Sequence, residues 1–253
     1  MILSCIYDFF TPNRAQNSFP IYLILNLFLF CPLNAQSLND GKHLFILSGQ
    51  SNMVRLNVED TLIPTLAAEF GSDHIIVVKD AMGSQPISRW YKGWVSSDGS
   101  VPKARGDLYD SLMEKVYSEI ENQQIRTVTF VWIHGERDAR ISEGDVYMSS
   151  VIGLFNQLKR DLQRENINMV IARLSDFDLD NEKWPHWTKV RQAQEKIADE
   201  YSNILWVNTD DLNTGFNNNN EFIQDDLHYT VEGYRILGIR VAESAIKLIR
   251  SDL

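Results

Sequence analysis

Five runs of nearly unbroken apolar and β-branched residues punctuate the chain: His43–Ser48, His74–Lys79, Thr127–Ile133, Met169–Leu174 and Ile204–Val207. Runs of this length and character suit parallel strands covered on both faces, because neither side of such a strand meets water. Between them the apolar positions recur at three and four residues. Tyr109, Leu112, Met113, Val116, Tyr117 and Ile120 form one stripe, and Tyr147, Val151, Leu154, Phe155, Leu158 and Leu162 form another. Each stripe predicts a helix that buries one face. Two more helices are expected at about Thr188–Tyr201 and Val231–Ile249. Strand and helix in alternation predict a doubly wound, three-layer α/β domain.

One apolar run falls outside this rhythm. Ile21–Phe30 is apolar except for Asn26, too short to span a bilayer comfortably, and is followed by Cys31-Pro32-Leu33-Asn34-Ala35. A modest positive flank (Arg14), an apolar stretch and a small residue before a polar start at Gln36 describe a secretory leader over residues 1–35. The domain is then 36–253, and a secreted or periplasmic location is expected, with no stable membrane insertion once the leader is gone. A buried N-terminal helix is the competing reading. Both cysteines, Cys5 and Cys31, lie in the leader. Its removal excludes a cysteine nucleophile, a structural disulfide and a thiolate metal site together.

Charge narrows the partners. The chain has 24 Lys and Arg against 34 Asp and Glu, a formal charge of −10, which disfavours a phosphate-backbone binder that would need a basic face. No nucleic acid is expected as partner. The charge says little about a neutral sugar. No repeat, Pro-rich linker or second composition regime divides the chain. The segment Asp80–Arg105 is long and carries Trp90, Tyr91 and Trp94, which suits a binding-site wall.

Four clusters of reactive side chains fall after expected strands or before the last helix. The first strand runs into Ser48-Gly49-Gln50-Ser51-Asn52-Met53, placing Ser51 where open α/β sheets put their ligands. The plain alternative is a turn or N-cap serine. Asp225-Asp226-Leu227-His228 offers a carboxylate three residues before an imidazole. Asp225 then orients His228, or else the aspartate caps a helix beside an exposed histidine. As zinc ligands they number only two. His134-Gly135-Glu136-Arg137-Asp138 crowds polar groups at a strand end, as part of a site or as an ion-pair knot with Arg140. Asp80-Ala81-Met82-Gly83-Ser84-Gln85 supplies a glycine whose N–H can face an oxyanion. A doubly wound sheet brings all four to one edge, which is the constellation acyl transfer needs.

Gly49-Gln50-Ser51-Asn52-Met53, Gly83 to Trp90, Trp132 to Asp138 and Asp225-x-x-His228 together resemble the SGNH hydrolase superfamily. The branch they look most like is the sialate O-acetylesterase-type domain, shared with carbohydrate esterase family six, the acetylxylan esterases. The resemblance covers about His43 to the C-terminus. It implies a flavodoxin-like fold with a five-stranded parallel sheet of order 2-1-3-4-5, no cofactor or metal, and a serine esterase acting on O-acetylated carbohydrate. Ser51 is then the nucleophile, His228 the base and Asp225 the orienting carboxylate. Ser51 N–H, Gly83 N–H and a side chain from the third block, here His134, form the oxyanion hole. Gln50, Asn52, Arg89, Trp90 and Glu136 are expected to line the substrate. Two positions depart from the family pattern: His134 stands where glutamine is usual, and Ser84 where a second glycine is common. These departures motivate one alternative, a secreted carbohydrate-binding protein with a decayed site. A lipase or thioesterase-like hydrolase is the other. The sequence does not name the oligomeric state.

Overall fold

A computed structural model describes residues 41–251, which lie in one compact unit. The leader expected at residues 1–35 lies outside the described residues. Five strands, β1 (Lys42–Gly49), β2 (Ile75–Ala81), β3 (Ile125–Ile133), β4 (Asn168–Ala172) and β5 (Ile204–Val207), pair in parallel in the order 2-1-3-4-5. This is the expected α/β architecture. Ser48 pairs with Asp80 and with Trp132, and Gly49 with Ala81 and with Ile133, so the carboxyl ends of β1, β2 and β3 finish level. The segments leaving those three strands therefore emerge side by side.

The apolar runs look continuous in sequence but divide two ways in space, because successive side chains on a strand point to opposite faces. Leu44, Ile46, Val128, Phe130, Trp132, Met169 and Ile171 face one core. That core is closed by α3 (Asp107–Ile120), α5 (Gly144–Leu162) and α6 (Trp187–Glu200), through residues such as Leu112, Val116, Val151, Leu154 and Ile197. Phe45, Leu47, Val131, Ile133, Val170 and Ala172 face the other. There they meet Leu62 and Leu66 of α2 (Leu62–Phe70) and Leu237, Val241, Ala245 and Leu248 of α7 (Val231–Ser251).

Short elements supply what periodicity could not announce. α1 (Ser51–Arg55) and α4 (Glu136–Arg140) each have 5 residues and follow directly on β1 and β3. A two-stranded hairpin, β6 (Gly215–Phe216) with β7 (Phe222–Ile223), stands in the loop before α7. The passage from β1 to α1 demands glycine. Gly49 has φ of 146°, and a Cβ built there would lie 1.9 Å from the Ile133 carbonyl oxygen. That carbonyl accepts the Gln50 N–H at 3.0 Å, locking the turn to the end of β3.

Candidate active site

Ser51 is the first residue of α1, half-buried at the carboxyl edge of the sheet. The helix beneath it is held at both ends. Gln50 is buried, and its Oε1 accepts the Arg137 N–H at 3.3 Å, joining the start of α1 to α4. At the other end Lys79 of β2 donates from Nζ to the carbonyls of Val54 and Leu56 at 3.1 and 2.6 Å. His228 approaches from the loop before α7, and its Nε2 lies 3.1 Å from Ser51 Oγ. This is hydrogen-bond distance between a hydroxyl and an imidazole, with Oγ–H donating to an unprotonated Nε2. Nδ1 then carries the proton.

Ser51 and His228 are 177 residues apart, and Asn52 ties their segments together. Its Nδ2 donates to Leu227 O at 3.2 Å, immediately before His228, and to Glu136 Oε1 at 2.8 Å. Its Oδ1 accepts from Tyr234 Oη of α7 at 2.8 Å. Asn52 is 2% exposed, and both its amide protons and its amide oxygen are engaged inward, so it supports the site from behind. Glu136 is buried behind it. Burial raises that carboxyl to about 7, against the opposing pull of its hydrogen bonds, and its Oε2 meets no partner among the described residues.

The carboxylate beside the imidazole is Asp226. Its Oδ1 accepts the His228 backbone N–H at 2.9 Å and lies 3.9 Å from Nδ1, within electrostatic but not hydrogen-bond reach. Asp225, the expected orienting residue, is placed elsewhere. It has φ of 46°, which turns its side chain away. Its N–H donates to Thr214 Oγ1 at 3.1 Å, and Thr214 Oγ1 donates to its Oδ1 at 3.3 Å. With Asp176, Asp178 and Asp180 it lines a separate cavity of about 620 Å³. Burial lowers the His228 pKa, the Arg55 guanidinium lowers it further, and Asp226 pulls the other way. Arg55 lies one helical turn after Ser51, exposed and on the same face of α1. The imidazole is therefore neutral, and able to accept a proton, at neutral pH.

Gly83 comes to Ser51 from the turn after β2. A Cβ built on Gly83 would lie in van der Waals contact with Ser51 Cβ at 3.8 Å, so the two residues are direct neighbours. Gly83 is part-exposed, and among the described residues its N–H meets no protein acceptor.

Three expected site residues belong to the core instead. His134 is 0% exposed. It follows Trp132 by two positions, so the alternation of β3 points it at the same inner face, away from Ser51. Its ring stacks on Trp132 at 4.5 Å, and Nε2 donates to the Gln85 carbonyl at 2.9 Å. It cannot hold an oxyanion at Ser51. Trp90 is 1% exposed and packs edge-on against Trp132 and His134 at 5.3 and 5.2 Å; Trp94 is buried too. The aromatic part of the long loop folds back as core, not as a sugar platform. Arg89 is engaged by Asp107 in a two-bonded pair at 2.6 and 2.7 Å and by Gln85 Oε1 at 2.7 Å. Of the substrate-lining expectations, Gln50, Asn52, Trp90 and Glu136 are thus buried structural groups, and Arg89 is paired within the protein.

The family model described as "carbohydrate esterase, sialic acid-specific acetylesterase" matches residues 57–247, a span that includes Gly83 and His228 and begins just after Ser51. Among solved structures, a protein from Arabidopsis thaliana is similar, with 18% identity and a TM-score of 0.60 over 82% of this chain and 98% of that one. A carbohydrate acetylesterase from Xanthomonas citri has 13% identity and a TM-score of 0.58, over 83% of this chain and 57% of that one. An inhibitor-bound aryl esterase from M. smegmatis has 12% identity and a TM-score of 0.52, over 82% and 100%. At these identities the likeness is one of fold. No curated protein matches the chain.

Proposed function

The chain belongs to the sialic acid-specific acetylesterase family of carbohydrate esterases, and on that premise we propose that it is a serine esterase that removes O-acetyl or other short acyl groups from carbohydrate through an acyl-enzyme. The observation that carries the reading is the 3.1 Å approach of His228 Nε2 to Ser51 Oγ, with the unengaged Gly83 N–H beside them. His228 takes the Oγ proton as Oγ bonds to the ester carbonyl carbon. The carbonyl oxygen becomes an anion, held by the N–H groups of Ser51 and Gly83. The carbon–oxygen bond to the sugar breaks, and the sugar oxygen leaves with the proton from Nε2. Water, deprotonated by the same nitrogen, then attacks the acyl carbon and returns Ser51 with the carboxylic acid as product. Asp226 favours the imidazolium that forms at each step.

The leader reading places this activity outside the cytoplasm, secreted or periplasmic, where the substrate is an acetylated glycan. The mechanism uses no cofactor, and chelators are expected to leave turnover unchanged. The test is acetate release by the purified 36–253 domain from acetylated xylan, O-acetylated sialic acids and p-nitrophenyl acetate. Ser51→Ala should lower turnover by at least about 10³-fold. Unchanged turnover in a folded Ser51→Ala protein overturns the mechanism.

A further inference from the structure

The turn that carries Gly83 has little regular structure of its own. Met82 N–H donates to Gly49 O at 3.1 Å on its upstream side. Ser84 then takes φ of 61°, a left-handed conformation that a residue with a side chain keeps only where its surroundings impose it. The Gln85 side chain adds a long contact, Nε2 to Gly83 O at 3.3 Å. What fixes the downstream side comes from the block after β3. His134 Nε2 donates to Gln85 O at 2.9 Å, and Asp138 accepts the Ile87 N–H at 3.1 and 3.4 Å through its two carboxylate oxygens.

Both side chains are 0% exposed, so neither can touch an ester. Each is itself immobilised. The His134 ring stacks on Trp132, runs parallel to Tyr147 at 6.1 Å and is flanked by Trp90, with Nδ1 at 3.4 Å from Tyr147 Oη and 3.8 Å from Asp138 Oδ2. Asp138 sits on α4, whose neighbouring Arg137 N–H bonds Gln50 beside the nucleophile. One short helix and the residue two before it thus reach both walls of the site. We propose that His134 and Asp138 are positioning residues that clamp the Gly83 turn, keeping the Gly83 N–H aimed above Ser51. The proposal rests on the reading of Ser51 as nucleophile and Gly83 as oxyanion donor.

Burial holds His134 neutral and raises the Asp138 carboxyl. The clamp is therefore made with the imidazole as a single-proton donor, which a glutamine amide can imitate and a phenyl ring cannot. His134→Phe keeps the ring packing and removes the Nε2–H. It should lower kcat about 10- to 100-fold with KM within about threefold and the acid limb of the pH profile unmoved, because His228 is untouched. His134→Gln should recover most of that loss. Amide hydrogen exchange over Met82–Ile87 should quicken in His134→Phe and return toward wild type in His134→Gln. If His134→Phe does not fold, Asp138→Ala against Asp138→Asn makes the same comparison, since only asparagine keeps an acceptor for Ile87 N–H. A folded His134→Phe with wild-type kcat, or with exchange at the turn unchanged, overturns the clamp. The exchange measurement does not depend on esterase activity. Turnover surviving in Ser51→Ala would overturn the nucleophile reading while exchange still judged the clamp.

Discussion

The turn after β2 and the loop before α7 deliver the two halves of the site, and they are built in opposite ways. The turn carries a backbone donor and is fixed by fully buried side chains, His134 and Asp138, against a wall of stacked aromatics. The loop carries the proposed base and faces water: His228 is part-exposed, Asp226 is more so, and the neighbouring hairpin shows Phe216 and Phe222 at 59% and 63% exposure. The difference fits the role proposed for each half. An oxyanion donor is effective only if it does not reorganise as charge develops, so it belongs on a rigid, desolvated scaffold. A base must exchange protons with substrate and water, and its pKa has to stay near working pH, which full burial would prevent.

Asn52 ties the Ser51 helix to the loop half and to Glu136 of α4, and replacing it should have the largest effect. Asn52→Leu strips partners from Glu136, Leu227 O and Tyr234 Oη at once. Leaving buried polar groups unpaired costs on the order of 2–5 kcal/mol here, so urea denaturation should show a much lower midpoint. Turnover of the folded fraction should fall as well, because Leu227 O no longer fixes the His228 segment. A variant of wild-type stability would show that the link between the Ser51 helix and the His228 loop is dispensable.

The exposed half should respond more gently and through pH. Asp226→Asn removes the charge that raises the His228 pKa, so the acid limb of kcat/KM should move to lower pH. The maximum should drop by roughly tenfold as the imidazolium loses its counter-charge. Asp225→Asn should stay within about twofold of wild type, since that carboxylate bonds Thr214. The reverse ranking would show that Asp225 swings to His228 during turnover. The mildest effect on turnover is expected for Arg55→Gln, which removes a charge that lowers the His228 pKa: the acid limb should move to higher pH with the plateau retained. A limb unmoved in both Asp226→Asn and Arg55→Gln would mean that burial alone sets the base.

The sheet was legible in the sequence because each strand is long enough to read as an apolar run and each flanking helix keeps a full stripe. That Ser51, Gly83 and His228 meet at one edge of the sheet was legible for a related reason: each follows a strand or precedes a helix that the pattern announces. The side chains around them were not. His134 and Glu136 lie two positions apart after β3 and look alike in sequence. The alternation carried over from Trp132 sends His134 into the aromatic core, and Gly135, with φ of 134°, redirects Glu136 behind Asn52. Trp90 and Trp94 read as a loop wall because nothing in their spacing tells that the loop folds back onto the sheet. The choice between Asp225 and Asp226 rests on one left-handed residue, and a pair of adjacent aspartates carries no sign of it.

The central claim is that Ser51, activated by His228, becomes the acylated atom. Mass spectrometry of the 36–253 domain after reaction with a fluorophosphonate tests it most directly. The account predicts about one adduct per chain, on the peptide that holds Ser51, with labelling slowed strongly in His228→Ala. An adduct on another residue, or none on protein that releases acetate from the same preparation, would contradict it.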